Sequence, residues 1–394
     1  MLPEAHREEM VNLSAELLSE SAALGALVHP VTREGLRGLL RQMNSYYSNQ
    51  IEDHYTHPLD IERALRRDFS MEPAKRALQL ESFAHVATQE DIEARLAAEP
   101  ELDICSEAFL CWIHKQFYER MPEEFRVIKG RQGAQAVVAG KLRLDDVEVG
   151  DHIPPTFQSV PLFLQRFSEA YRFSKLGSVE RVFATGAAHH RLSWIHPFLD
   201  GNGRVMRLFT HAWLVRAQIA GHGLWMVSRG LARQREQYKE ALSVADEPRR
   251  GALDGRGNLS DAGLAAFCVF FLKTAIDQVK FMAGLLELDV LLGRLSSYVE
   301  LRAARGELDV EAKHLLQEAL MRGEVPRGEA SRITGLGERT ARHLLGQLIA
   351  ENLLWSKTPK GPLRLGFPPS AVPYYFPRLY PAQVESGLLA RTND

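Results

Sequence analysis

His196-Pro197-Phe198-Leu199-Asp200-Gly201-Asn202-Gly203-Arg204-Val205-Met206-Arg207 places an imidazole, a carboxylate, two glycines and two guanidiniums in one short stretch. Helical patterns flank it on both sides, so it reads as a loop between helices. Gly201, Asn202 and Gly203 tolerate positive φ, which lets successive backbone N–H groups turn inward as a concave anion nest. From Arg204 onward, Val205, Leu208, Phe209, Ala212 and Val215 follow helical spacing. The loop therefore delivers an anion to a helix N-terminus, where unpaired N–H groups and the macrodipole favour negative charge. Arg204 and Arg207, three apart, share one side of that helix as a pair of forks for phosphate oxygens. Asp200 supplies the single carboxylate that Mg²⁺ needs, because this ion keeps most of its waters and takes further ligands from substrate phosphates. His196 is the one group in the loop whose ordinary pKa suits proton abstraction near neutrality. Singly, these residues read as a structural His, a solvated Arg pair and a turn. Jointly, their spacing is that of phosphoryl or nucleotidyl transfer.

At all eight defined positions of H-P-F-x-x-G-N-G-R-x-x-R, the loop resembles that of the Fic family. The resemblance implies a mainly α fold, an all-helical core with a short β-hairpin flap. It also implies transfer of AMP from ATP to a hydroxyl side chain of a protein, releasing pyrophosphate. Carried over, His196 would deprotonate the target hydroxyl and Asp200 would hold Mg²⁺ against the α- and β-phosphates. Gly201, Asn202 and Gly203 would line the phosphates, Arg204 the β-phosphate side, and Arg207 the γ-phosphate. Upstream, Ser48-Asn49-Gln50-Ile51-Glu52-Asp53 resembles the inhibitory pattern [S/T]-x-x-x-E-[G/N] of one class of Fic proteins. That assigns Glu52 to Arg207, blocking the γ-phosphate position, with Ser48 opening the motif. Asp53 departs from the pattern's Gly or Asn. Some relatives also use this Glu to help water remove the AMP, a second activity left open. Tyr238 resembles the aromatic that relatives place near the adenine, and core packing is the other reading.

Val127, Ile128, Val137, Val138 and Ala139, interleaved with Gly130, Gly133 and Gly140, predict a hairpin between Arg126 and Pro155. It looks like the Fic flap, whose open edge could pair with an extended target segment. A plain connecting hairpin fits the same residues, and His152-Ile153-Pro154-Pro155 ends it.

With 394 residues, 45% hydrophobic and 25% charged, the chain has the composition of a soluble protein with two or three cores. A net charge of −2 argues against a global attraction to nucleic acid or membrane. The N-terminus lacks the apolar core of a signal peptide, and no apolar run is expected to span a membrane. Cys105, Cys111 and Cys268 show neither zinc spacing nor an even disulfide set, which suits a reducing, cytoplasmic setting.

Periodicity predicts helices over 8–27, 32–52, 74–98, 107–120 with Ser106 as N-cap, 182–194, 233–245 and a buried 264–286. The expected domains are a helical region at 1–100 carrying the inhibitory helix, a catalytic core at 101–286, connecting helices at 287–320, a winged-helix domain at 321–380 and a tail at 381–394. In the fourth, Arg327 to Leu336 and Gly337 to Leu345 read as helix, turn and second helix, with Arg339 and Arg342 on the second. Leu353-Leu354-Trp355 and Leu363-Arg364-Leu365 suggest the wing. This segment carries nine Lys and Arg against four Asp and Glu, a local net of +5 compatible with DNA phosphates. Winged helices also bind protein, and self-association into a homo-oligomer is expected from the family. Two functions follow: an autoinhibited protein adenylyltransferase, or a DNA-binding transcriptional regulator whose core senses nucleotide.

Overall fold

The computed structural model describes residues 2–130, 133–150, 152–219, 221–255 and 257–390. Helices α1 (Arg7–Ala26) and α2 (Pro30–Ile51) are separated at His29, whose Nδ1 accepts the Val31 N–H at 3.2 Å. The His-Pro pair recurs at α3 (Pro58–Leu65), where His57 Nδ1 accepts from Leu59 N at 3.3 Å. In both, the imidazole satisfies an orphan amide and proline presets the first turn. Helix α4 (Pro73–Ala98) follows. Helix α5 (Glu107–Glu119) starts on the expected cap, with Ser106 Oγ accepting from Phe109 N at 3.2 Å.

The hairpin pairs β1 (Val127–Gly130) with β2 (Gly133–Ala136), Val127 opposite Ala136 and Gly130 opposite Gly133; its turn residues 131 and 132 lie outside the described residues. Val137 to Ala139, expected in the second strand, instead follow it. Val137 is buried and its N–H closes onto the Arg126 carbonyl at 2.6 Å. The chain then turns at Gly140, φ +74, where a Cβ would sit 2.9 Å from Lys115 Cβ on α5.

The core is built by α6 (Val160–Ala170), α7 (Ser178–Ile195), α8 (Asn202–Arg216), α9 (Ser228–Arg233), α10 (Arg235–Asp246) and α11 (Asp261–Leu286). The single helix expected over 233–245 is interrupted at Gln234, φ −114, which divides α9 from α10. Helix α11 corrects the expectation about apolar runs. Its length and composition would allow it to cross a membrane, yet 67% of its apolar window is buried among α1, α7 and α10. Gly186 of α7 permits that closeness, since a Cβ there would meet Cys268 Cα at 3.3 Å.

Helices α12 (Leu288–Ala304) and α13 (Ala312–Arg322) lead to α14 (Ala330–Thr334), α15 (Glu338–Ala350) and the antiparallel pair β3 (Leu354–Trp355) and β4 (Arg364–Leu365). Helix α13 packs on both α14 and β4, so the boundary expected near 321 falls inside a packed unit. After α16 (Val372–Tyr375) and α17 (Ala382–Ala390), tail residues 391–394 lie outside the described residues.

This C-terminal region backs α2 along its length. Glu34 pairs with Arg364 Nη1 at 2.7 Å and Lys357 Nζ at 2.8 Å. Further along, the Tyr47 hydroxyl donates to the Leu379 carbonyl at 2.7 Å, and the Tyr46 and Tyr380 rings meet edge to face at 5.2 Å.

Candidate active site

Helix α7 ends at His196, which takes φ 49 and ψ 63 and donates its N–H to the Leu192 carbonyl at 3.2 Å. A left-handed non-glycine residue here turns the chain sharply into the loop. Arg143, its side chain fully buried, holds that turn: Nε donates to the His196 carbonyl at 2.8 Å, and its backbone N–H to the Pro197 carbonyl at 3.0 Å. Asn202 closes the loop from the other end, its Oδ1 accepting from Phe198 N at 2.9 Å and its Nδ2 donating to Phe198 O at 2.8 Å. The side chain of Asn202 is thus engaged within the loop. Phe198 is buried and stacks on His114 with centroids 4.1 Å apart.

The expected three-residue nest is corrected. Of the three, only Gly201 takes positive φ, +77, and a Cβ there would lie 2.7 Å from the Tyr118 ring, whereas Asn202 and Gly203 already belong to α8. At Gly203 a Cβ would run into Glu52 Oε1. A carboxylate therefore rests on the first turn of α8, where amide dipoles favour negative charge.

Glu52 reaches this position from the C-terminal end of α2, and its Oε1 accepts from Arg207 Nη2 at 2.6 Å. The same guanidinium donates from Nε to Ser48 Oγ at 2.8 Å and from Nη2 to the Ser48 carbonyl at 3.0 Å. Burial pushes the Glu52 carboxyl up, but Arg207 and then Arg204 outweigh it and hold it below its ordinary value. Asp53 takes φ 63, the left-handed position after a helix end where Gly and Asn are least strained. Its carboxylate is gripped by both terminal nitrogens of Arg235, Oδ1 lying 2.6 Å from Nη1.

Arg204 has a partner that no local pattern announced. Its Nη1 donates to Glu81 Oε1, from α4, while Nη2 lies 3.4 Å from Asp200 Oδ2. Glu81 is buried and also meets His54 Nδ1 at 2.7 Å. Burial raises its carboxyl, yet Arg204 and His54 bring it below the ordinary range. Asp200 Oδ2 accepts from the Tyr118 hydroxyl at 2.6 Å, and Arg204 and Tyr118 lower its pKa against burial. Its side chain keeps 40% exposure. Among the described residues no group of three or more His, Cys, Asp or Glu could cage a metal. A lone, ionised, partly open carboxylate fits Mg²⁺ that arrives with phosphates and water.

Tyr238, expected either near the adenine or in the core, is only 2% exposed; its hydroxyl lies 2.7 Å from His189 Nε2 and also meets the Arg207 guanidinium. With His189 Nδ1 on Thr210 Oγ1 at 2.7 Å, it supports α8 from within the core. The His196 imidazole is pushed down to about 4, first by burial and then by the charge of His152. It therefore stands at neutral pH as a free base. A cavity of about 1040 Å³ runs from Gln135 and Ala136 of β2, past Cys111, to Leu199 in the loop.

Glu81, Tyr118, His114, Arg143 and the His152–Asp246 pair carry no motif of their own. Glu81 and Arg204 lie 123 residues apart, and only their opposite charges could have suggested a partner.

Residues 104–214 match the Fic/DOC family. The protein adenylyltransferase Fic of Drosophila grimshawi is 35% identical over 111 residues, 28% of this chain and 22% of that relative. The Drosophila erecta protein of the same name is 34% identical over a segment of the same length, so the match spans about a fifth of these relatives. Among solved structures, a Fic family protein from Desulfovibrio desulfuricans G20 shares the fold with a TM-score of 0.55 at 18% identity, covering 93% of this chain and 98% of that one. A Fic domain containing signaling protein from Bacteroides thetaiotaomicron gives 0.52 at 19% identity, over 69% and 96%. The segment that matches the Fic/DOC family, residues 104–214, contains the whole His196–Arg207 loop, the β1–β2 hairpin and Tyr118.

Proposed function

We propose that the protein is an autoinhibited adenylyltransferase that moves AMP from ATP onto a hydroxyl side chain of a target protein, and onto itself. The observation that carries this reading is the loop geometry: His196 ends α7 and Asp200 and Gly201 lead directly into α8, whose first turns bear Arg204 and Arg207. In the reaction the hydroxyl oxygen bonds to the α-phosphorus while its proton passes to His196. The bond from that phosphorus to the bridging oxygen breaks, and its electron pair leaves on pyrophosphate. Arg204 and Arg207 stabilise the charge growing on the leaving group. Asp200 would hold Mg²⁺, which supplies further neutralisation of the polyphosphate. The target would lie along β2 and the cavity reaching Leu199, its backbone paired with the hairpin edge.

Glu52 makes this a restrained enzyme. Its carboxylate occupies the first turn of α8 and holds Arg207, so an ATP γ-phosphate meets like charge where it needs a cation. The same carboxylate could serve removal of AMP by water, which release of free AMP from modified protein would report. A regulator reading draws on exposed Arg339 and Arg342 of α15, which suit DNA phosphates, with the winged-helix unit as the DNA-binding part. Incubation of the Glu52→Gly form, freed of the blocking carboxylate, with α-labelled and γ-labelled ATP tests the proposal. Label entering protein from the α position alone, and lost in His196→Ala, is the expected result; no transfer from either position overturns it in favour of a nucleotide sensor.

A further inference from the structure

The segment that follows the hairpin sends two cationic side chains onto the last turn of α7, the helix that ends at His196. One is Arg143, on the His196 carbonyl at 2.8 Å. The other is His152. Its Nε2 lies 3.0 Å from the Trp194 carbonyl and its Nδ1 lies 3.1 Å from Asp246 Oδ2 of α10. Both neighbours are acceptors only, so satisfying both requires a proton on each ring nitrogen, and His152 is an imidazolium. The second imidazole at Asp246 is different. His190 Nε2 meets Asp246 Oδ1 at 2.9 Å, but its Nδ1 faces an Arg191 N–H at 3.3 Å and must accept, so His190 is neutral. Asp246 thus balances a single cation. The titratable or charged groups that bear on this cluster include Asp246, His190, Arg191 and His196; His152, Arg143 and Glu52 act on His196.

Resting on the adenylyltransferase reading, we propose that His152, held charged by Asp246, is a positioning residue that fixes the end of α7 and so the His196 imidazole. A cation on the last carbonyls of a helix satisfies orphan acceptors and opposes the dipole. Here the stabilised carbonyl belongs to the residue two before the base, and that base sits in a left-handed turn that needs outside support. The charge of His152 also disfavours protonation of His196, keeping the base free. When His152 loses its proton, one of its two hydrogen bonds must go, and the support goes with it.

The test uses the full chain carrying Glu52→Gly, with incorporation from α-labelled ATP followed across pH. Parent activity should fall on an alkaline limb. Asp246→Asn should move that limb to lower pH and reduce kcat at neutral pH by about ten- to a hundred-fold, with KM for ATP within about twofold. His152→Gln, which keeps a donor but no charge, should lower kcat and abolish the limb. Independently, nitrogen-15 NMR of histidine-labelled wild-type protein, assigned with His152→Gln, should show both His152 nitrogens protonated at neutral pH. A single neutral tautomer overturns the proposal, as does an Asp246→Asn profile that superimposes on the parent. Should Glu52→Gly transfer no label at all, the adenylyltransferase reading fails, and the NMR arm still decides the charge of His152.

Discussion

Replacing Glu52 by glycine removes one carboxylate from the α8 terminus and one hydrogen bond from Arg207. The contact is a charge-assisted bond of 2.6 Å, and the guanidinium keeps its two bonds to Ser48, so Arg207 stays aimed at the site. A hydrogen bond involving charged groups contributes about 1.5–3 kcal/mol net. Glu52 sits on the low side of that range because its side chain keeps 35% exposure. At about 1.4 kcal/mol per decade, the low side of the range gives an expected gain of about ten- to thirty-fold in the rate of self-modification from α-labelled ATP. Backbone strain does not confuse the comparison, since position 52 has φ −91 and ψ 12, accessible to any residue. Glu52→Gln separates charge from bulk. It keeps an acceptor for Arg207 but no longer repels phosphate, so its rate should fall between wild type and Glu52→Gly. The measurement is initial incorporation at saturating and subsaturating ATP, with Glu52→Gly/His196→Ala as the blank. Equal rates for wild type and Glu52→Gly, with both above that blank, would refute the assignment of Glu52 as a lock.

Glu81→Ala leaves Arg204 buried without its main counter-charge, and loss of one partner of a buried pair costs about 3–5 kcal/mol, read as a lower urea midpoint. Gly201→Ala combines a left-handed backbone with a Cβ 2.7 Å from Tyr118, so stability should drop by about 1–3 kcal/mol and labelling with it. The third prediction concerns pH. His85 is pushed down to about 3, His114 and His196 to about 4, each first by burial, so the unfolded chain binds protons that the folded chain refuses between these values and about 6.5. Stability should therefore rise with pH across that window, and a melting temperature that is flat or falls from about pH 4.5 to pH 6.5 would contradict it. His152, raised by Asp246 against burial, works in the opposite sense: its contribution is complete below about 6.5 and fades as pH climbs through its folded value.

Local chemistry was legible in the chain where it depends on neighbours a few residues apart. The His196–Arg207 loop, the Ser106 cap, the hairpin and the helical break at Pro30 follow from spacing, φ preference and missing N–H groups. The Ser48–Glu52 segment was readable because its residues share one face of a helix end, and its partner Arg207 came through the resemblance to Fic proteins. What needed the folded molecule was every pairing across distant segments. Glu81 on Arg204, Arg143 and His152 on the end of α7, and Arg364 and Tyr380 against α2 join residues whose separation carries no periodic signal. Tyr238 shows the same limit, since helical spacing gives the face of a tyrosine but not whether that face meets a nucleotide or the imidazole of His189. Sequence alone set which groups could bind phosphate and take a proton. The tertiary structure decided which of them are buried, paired and held charged or neutral, because desolvation and Coulomb energy depend on distance through space and not along the chain.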